Sequence, residues 1–323
     1  MDFRLTEDQE ALRDGIRAFC DGRFGLERLD ETARAGGFDR DLWGELASMG
    51  VFSLRQPESE GGVGLAMADA VLVFAELGRR LVPGPAVWSH LAASLVPGAG
   101  AGDAVVGGLD AADGEPVLIE HLAALDALLV VRDDGVERVD PRGLDATPVA
   151  TPLDPLTPLH HAAALPHGDR IGDAALAARL RREGTALAAA QLLGIAEATQ
   201  ERATAYAKER EQFGRPIGGF QSIKHLLADM FVRQEMARAA VYAAGATLDQ
   251  PELGDPARAV ASAKVVAGEA AMKNARACVQ IHGGMGYTWQ MAPHWYLKRA
   301  WVLGASFGAS EVHEERLAGS LDG

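Results

Sequence analysis

The sequence predicts a mainly α protein: an N-terminal helical domain over residues 1–102, a small β-domain over 103–170 and a C-terminal helical bundle over 171–323. Three observations lead there. Apolar residues recur at helical spacing through the first hundred or so positions. From Ala104 to Arg170, short apolar runs alternate with Asp, Gly and Pro turns. From Asp173 the helical period returns and persists towards the C-terminus.

The N-terminal helices have legible boundaries. Thr6, followed three residues on by Gln9, has the pattern of a capping box, and Leu12, Ile16 and Phe19 share one face of the helix it opens. Asp39–Met49 predicts a second helix, stopped by Gly50 in a C-cap role. Pro57-Glu58-Ser59-Glu60-Gly61-Gly62 is a turn, after which Leu65–Arg80 and Pro85–Leu95 resume helical patterning. Pro97-Gly98-Ala99-Gly100-Ala101-Gly102 breaks the pattern again, as a linker does.

In the middle part, Ala104–Val106, Val117–Ile119, Leu128–Val131 and Val136–Val139 predict strands. Prolines from Pro116 to Pro166 confine them, and predict that the domain ends in irregular chain. Beyond it, Ala174–Arg210 predicts one long amphipathic helix, with Leu176, Leu180, Leu187, Leu193 and Ile195 on its apolar side. Phe220–Leu248, Pro256–His282 and Pro293–Gly319 follow, making a bundle of four long antiparallel helices. No internal repeat or low-complexity tract interrupts this order.

Composition narrows the function classes. A chain of 323 residues is long enough for a large buried core. Aromatics are only 6% against 48% hydrophobic residues, so small apolar side chains, alanine above all, carry much of the packing. The net charge of −14 argues against a nucleic-acid partner, whose phosphates would be repelled. No apolar run approaches the roughly 20 residues of a membrane-spanning helix, and Met1–Thr6 lacks a signal pattern. Cys20 and Cys278 stand far apart, which indicates neither a disulfide scaffold nor a zinc site. The cytoplasm is the expected compartment, and no metal is expected.

Two segments in the last third carry the chemistry. The first is Arg210-Glu211-Gln212-Phe213-Gly214-Arg215-Pro216-Ile217-Gly218-Gly219-Phe220-Gln221, running into Ile223-Lys224-His225-Leu226-Leu227-Ala228-Asp229-Met230. The second is Gln280-Ile281-His282-Gly283-Gly284-Met285-Gly286-Tyr287-Thr288. In this order and spacing they resemble the flavin-binding signature of the acyl-CoA dehydrogenase family. The helix–β–helix order extends the likeness over essentially the whole chain. The resemblance implies FAD as cofactor, an acyl-CoA thioester as substrate and α,β-desaturation as reaction. A carboxylate removes the α-proton while the β-hydrogen leaves as hydride to the flavin.

Matched residue by residue, the resemblance implies that Arg210 contacts the pyrophosphate of a neighbouring subunit's FAD, where a guanidinium suits paired oxygens. Gln212 and Phe213 belong to the same motif, with Phe213 packing on the adenosine side and Gln221 hydrogen-bonding near it. Gln280 and the Gly283–Gly284 backbone approach the pyrophosphate, with no Cβ to hold the anion away. Without the resemblance, Arg210 reads as a solvated helix-end charge and Gly283-Gly284-Met285-Gly286 as a plain turn. Lys224, His225 and Asp229 are either catalytic or, at helical spacing, a polar helix face. Glu197 and Glu201 at i, i+4 are either an acid–base pair or two like charges on an exposed face. His160, His161 and His167 lie in the proline-rich stretch, where metal ligation is not expected.

The catalytic base is conspicuous by its absence. The family places it in one of two spots. For the first, counting without gaps from Gln280 lands on Phe307, which cannot take a proton. For the second, counting back from Leu193-Gly194 lands on Gly184, beside Glu183. A shift of one residue turns a side chain by about 100° around a helix. Glu183 is therefore either a displaced base or a surface charge among Arg181 and Arg182. The family's Thr-Glu-x-x-x-Gly-Ser-Asp-like segment, which shields the flavin, has no counterpart between Ala104 and Gly168, and the β-domain is shorter than usual.

These departures resemble the shorter subunit of two-subunit bacterial family members, some of which act on steroid side chains and other bulky acyl-CoA thioesters. There a larger chain carries the base, and the shorter one completes its FAD site. The leading expectation is such a subunit, weakly active or inactive alone, partnered by a larger dehydrogenase chain or self-associated as a dimer, and serving fatty acid or steroid side-chain catabolism. The alternatives are a self-sufficient acyl-CoA dehydrogenase using Glu183, and a non-enzymatic dimerising scaffold of the same fold.

Overall fold

Thr6 opens the first helix, α1 (Glu7–Arg23), as a full capping box. Its hydroxyl accepts the Gln9 amide, and the Gln9 side chain accepts the Thr6 amide in return. The computed structural model describes residues 4–111 and 117–320; Pro116 lies outside them. Within these residues the chain forms two compact units. One falls in the spans Met1–Arg28, Val71–Val82 and Ala186–Gly323, the other in Leu29–Ala70 and Pro83–Thr185.

The second unit holds the two larger sheets. Asp39 caps α3 (Arg40–Ser48), which follows the short α2 (Leu29–Arg34), by accepting the Asp41 and Leu42 amides. Gly50 then takes a left-handed φ of 77°, as its stop role requires. Trp43 stacks on Phe52 at 4.3 Å, and both are buried. One sheet has four strands: β1 (Val106–Asp110), β3 (Ala127–Val131), β4 (Gly135–Val139) and β7 (Asp169–Asp173), in that order. A second sheet of three strands places β6 (Leu159–Ala162) between β2 (Val117–Glu120) and β5 (Ala146–Pro148). β2, β3 and β4 lie where apolar runs predict them, while β1 begins at Val106, the last residue of its predicted run, and continues through Gly107 and Gly108. The stretch expected to be irregular instead supplies β5, β6 and β7. They are half exposed and carry Pro148, His160, His161 and Arg170, so no apolar run marks them.

The first unit is helical. α4 (Met67–Arg79) and α6 (Ala174–Glu209) cross backbone to backbone at a pair of glycines. A Cβ on Gly78 would lie 2.1 Å from the Gln191 carbonyl, and one on Gly194 would lie 1.9 Å from that of Ala75. Asn274, fully buried on α8 (Pro256–His282), ties three helices together. It donates to the carbonyls of Ala196 on α6 and Met230 on α7 (Gln221–Asp249), and accepts from Arg233 at 2.9 Å.

The fourth long helix expected over 293–319 is broken. α9 (Pro293–Ala305) ends, Phe307 and Gly308 adopt left-handed φ values of 56° and 95°, and α10 (Ser310–Gly319) starts afresh. The break has a cause buried in the unit. Lys264 on α8 donates its ammonium to the carbonyls of Leu303 and Ser306 at 2.7 and 2.5 Å, holding the last turn of α9. Between α5 (Ala86–Leu91) and β1 lies the glycine-rich stretch around residue 100, which forms turns.

Candidate functional site

α6 runs without interruption to Glu209 and delivers Arg210 at its end, exposed to solvent. Among the described residues the Arg210 side chain has no hydrogen-bond or ion-pair partner. The chain then doubles back as a minimal hairpin, with β8 (Glu211–Gln212) paired to β9 (Arg215–Pro216). Its two turn residues, Phe213 and Gly214, have φ values of 53° and 77°. Two positive φ angles are the signature of the tight hairpin turn that suits strand twist, and Asn-Gly is its usual sequence. Phenylalanine there is strained, and its ring is 92% exposed. Behind it, Phe220 makes an edge contact at 6.1 Å and carries the Arg215 guanidinium over its face at 4.1 Å. Gln212 folds onto its neighbour's carbonyl, and Gln221 opens α7 with its side chain exposed.

The second segment sits at the end of α8. Gln280 is exposed, and the helix stops at Gly283, whose φ of 60° with ψ of −143° only glycine adopts readily. A Cβ on Gly283 or Gly284 would meet nothing within 4 Å, so the backbone there faces open space. Gly286 differs: a Cβ would lie 2.7 Å from the Val279 carbonyl, and the turn packs back on the helix.

The two segments meet. Tyr206, one helical turn before Arg210, stacks on His282, the residue before Gly283, with ring centroids 4.1 Å apart and planes at 19°. Beneath them Ala203, Ala207, Met230, Ala277, Cys278 and Ile281 form a buried apolar cluster. One end of the bundle thus carries Arg210, the hairpin, the start of α7 and the Gly283–Gly284 turn. It offers an unpaired guanidinium beside a backbone without side chains, a donor set that fits the pyrophosphate of FAD. Sequence reading gave no role to Tyr206 or His282. The available signal was the four-residue step from Tyr206 to Arg210, which puts both on one helix face.

The candidate bases lie elsewhere in their units. Phe307 occupies the turn between α9 and α10, where its carbonyl accepts from the His313 imidazole at 3.0 Å. Glu183 is not a surface charge among Arg181 and Arg182. It is 14% exposed and forms a two-pronged ion pair with Arg55, while Arg181 pairs with Asp110. Glu197 and Glu201 are not an exposed like-charge pair either. Glu197 is 7% exposed and lies between Arg79 and Arg238, and Arg79 also holds Glu201. Burial pushes the Glu197 carboxyl up. A cavity of about 370 Å³ beside it is lined by Arg17, Glu76, Arg238 and Tyr242, with Arg17 and Glu76 paired at 2.7 Å. Lys224, His225 and Asp229 lie on an exposed face of α7. His160 and His161 are on β6, and His167 pairs with Glu137 at 2.8 Å. Among the described residues no group of three or more His, Cys, Asp or Glu side chains could hold a metal.

Comparison with known proteins shows the family. Residues 175–321 match the family model described as acyl-CoA dehydrogenase, C-terminal domain, and residues 6–100 match the one described as acyl-CoA dehydrogenase, N-terminal domain. The acyl-CoA dehydrogenase IpdE2 of Mycobacterium tuberculosis is 34% identical, over 91% of this chain and 91% of its own. The acyl-CoA dehydrogenase FadE34 of the same organism is 31% identical over 95% of this chain, yet the chain spans only 47% of its length. Among solved structures, the ChsE4–ChsE5 complex from Mycobacterium tuberculosis has a chain of TM-score 0.84 at 24% identity, covering 100% of this chain and 99% of that one. Butyryl-CoA dehydrogenase from Megasphaera elsdenii has TM-score 0.84 at 23% identity, covering 99% and 100%. At these identities the structures show the fold.

Proposed function

The chain belongs to the acyl-CoA dehydrogenase family, and we propose that it is the shorter subunit of a two-chain, FAD-dependent enzyme that α,β-desaturates an acyl-CoA thioester in the cytoplasm. FAD, when bound, accepts the β-hydrogen as hydride. The roles of this chain are to bind and to orient. Arg210 would grip pyrophosphate oxygens through two N–H groups. The Phe213 ring would pack on the adenosine, with Gln212 and Gln221 beside it, and Gln280 with the side-chain-free Gly283–Gly284 backbone would lie close to the anion. The α-proton would pass to a carboxylate of the larger partner.

One observation carries this reading. Arg210, Phe213, Gln221, Gln280 and the Gly283–Gly284 backbone face outward in a chain whose gap-free count to the base position reaches Phe307, in a turn held by Lys264 and His313. The strained, exposed Phe213 suits a group that finishes a neighbour's site. The resemblance to a chain of a two-protein complex favours a heteromer over a homodimer, and about half of FadE34 lies outside the match, room for a second dehydrogenase region in one polypeptide.

Flavin stoichiometry tests the proposal. Purified alone with excess FAD, the chain should be nearly colourless. Co-expressed with a larger family member from the same genome, it should form a yellow complex that desaturates acyl-CoA, and Arg210→Ala should strip flavin from that complex. A homo-oligomer with a full FAD complement and unaided turnover would overturn it. Colourless protein that pairs with no dehydrogenase chain would mark a scaffold.

A further inference from the structure

We propose that His282 is a positioning residue, whose ring on Tyr206 locks the Gly283–Gly284 turn and the Arg210 hairpin into one preorganised anion cradle. The proposal rests on the reading of those two segments as FAD contacts. No group on the cradle's surface is involved; the coupling lies one layer below it.

Each link is a short contact. The Arg210 amide donates to the Tyr206 carbonyl at 2.8 Å, and the Ile217 amide donates to the Arg210 carbonyl at 2.8 Å, which closes the hairpin onto the end of α6. Tyr206 meets His282 ring on ring. His282 is 6% exposed, and its Nδ1 donates to the Cys278 carbonyl at 2.8 Å, with the Cys278 sulfur 3.7 Å from the same nitrogen. That bond fixes the ring plane. Burial lowers the His282 pKa, opposed by the bond to the Cys278 carbonyl and helped by the nearby Arg202 charge. The flat ring lies against Tyr206, which itself packs on the apolar cluster of Ala203 and Ala207. The next residue is Gly283, whose dihedral angles aim the turn.

The consequence concerns binding entropy. An anion held by groups on two independent loops must order both as it binds. Groups already fixed to one another avoid that cost. A ring stack joining α6 to α8 supplies fixation on top of the buried cluster that includes Ala207 and Ile281.

Amide exchange on the chain alone reads the coupling without any flavin. His282→Ala, on one side of the stack, and Tyr206→Leu, on the other, should each raise exchange at the Ile217 amide about tenfold, the worth of one aromatic pair. Exchange at Asn274, in the middle of α8, should stay unchanged. His282→Phe and Tyr206→Phe keep both rings and should bring the rate back towards wild type, His282→Phe less completely because it lacks the Nδ1 donor that fixes the ring plane. In the flavin-loaded complex, FAD retention should follow the same order. Unchanged Ile217 exchange in both ring-removing variants, or failure of both phenylalanines to rescue, overturns the proposal. A fault in the FAD reading looks different: the exchange pattern appears as expected, and no assembly of the wild-type chain holds flavin. Should His282→Ala fail to fold, Tyr206→Leu carries the test from the opposite helix.

Discussion

Both carboxylate oxygens of Glu183 are taken by one guanidinium: Arg55 donates from Nη1 to Oε2 at 2.8 Å and from Nη2 to Oε1 at 3.1 Å. A base must be reachable by a carbon-bound proton, and this carboxylate is 14% exposed with each oxygen engaged by an N–H of a fixed guanidinium. Glu183→Gln leaves the half-buried Arg55 without its charge. The expected outcome is a loss of about 1–3 kcal/mol in urea unfolding, with turnover of the flavin-loaded complex unchanged. Abolished turnover in a variant of wild-type stability would instead give Glu183 the base role.

The carboxylates of Glu197 and Glu201 should separate sharply when each is removed. Glu197 accepts from Arg238 at 2.7 Å and from Arg79 at 3.4 Å, and its side chain is 9% exposed. Glu197→Ala removes the buried carboxylate from between two guanidiniums, which keep Glu76, Glu201 and Glu235 as partners, and should cost about 1–3 kcal/mol. Glu201, 58% exposed and held by Arg79 alone, should cost under about 1 kcal/mol as Glu201→Ala. Chemical denaturation of both variants decides it. Equal small losses would mean that the Arg79 network contributes little.

The contrast between those glutamates marks where the sequence was legible. Helical period placed α6, α7 and α8 almost to the residue, because their apolar faces are buried along their length. Thr6 was readable as a cap because the bond it makes is local, whereas Asp39, read as the first residue of a helix, is its N-cap. The two segments proposed to contact a flavin were readable as motifs. Period could not tell Glu197 from Glu201, since burial of one depends on Arg79 and Arg238, more than a hundred and about forty residues away in sequence. The break at Phe307 was hidden for the same reason: its cause, Lys264, sits on another helix. β5 to β7 escaped because strands with exposed faces carry histidine, arginine and proline as readily as loops do.

Acid should destabilise the fold well above the pH at which carboxylates protonate. His90 and His313 are 4% and 1% exposed, and burial lowers both to about 4. Unfolded imidazoles take up protons from about pH 6.5 downward, whereas these do so only near pH 4. The unfolded state therefore binds more protons in this window, and stability falls as pH drops through it. The loss reaches up to roughly 3 kcal/mol for each group, and none of it appears above about pH 7. Urea midpoints from pH 7.5 to 4.5 should fall accordingly, and His90→Asn, which keeps a donor for the Val51 carbonyl, should flatten the slope. A midpoint constant across that range would refute the assignment.

Phe213 tests whether a local cost is offset outside the chain. A non-glycine residue in the left-handed region costs about 1–2 kcal/mol, and a ring 92% exposed recovers little of that by burial. Phe213→Gly removes the strain while adding freedom to the unfolded chain, worth about 0.5–1 kcal/mol in the opposite direction. The isolated variant should therefore melt at the wild-type temperature or slightly above it. In the flavin-loaded complex the missing ring should cost about 1–3 kcal/mol of stacking on the adenine, read as faster loss of FAD on dilution. The two results together separate a ring kept for its own chain from one kept for a neighbour's cofactor. A variant that melts several degrees lower and retains FAD fully would place the role of Phe213 inside this chain.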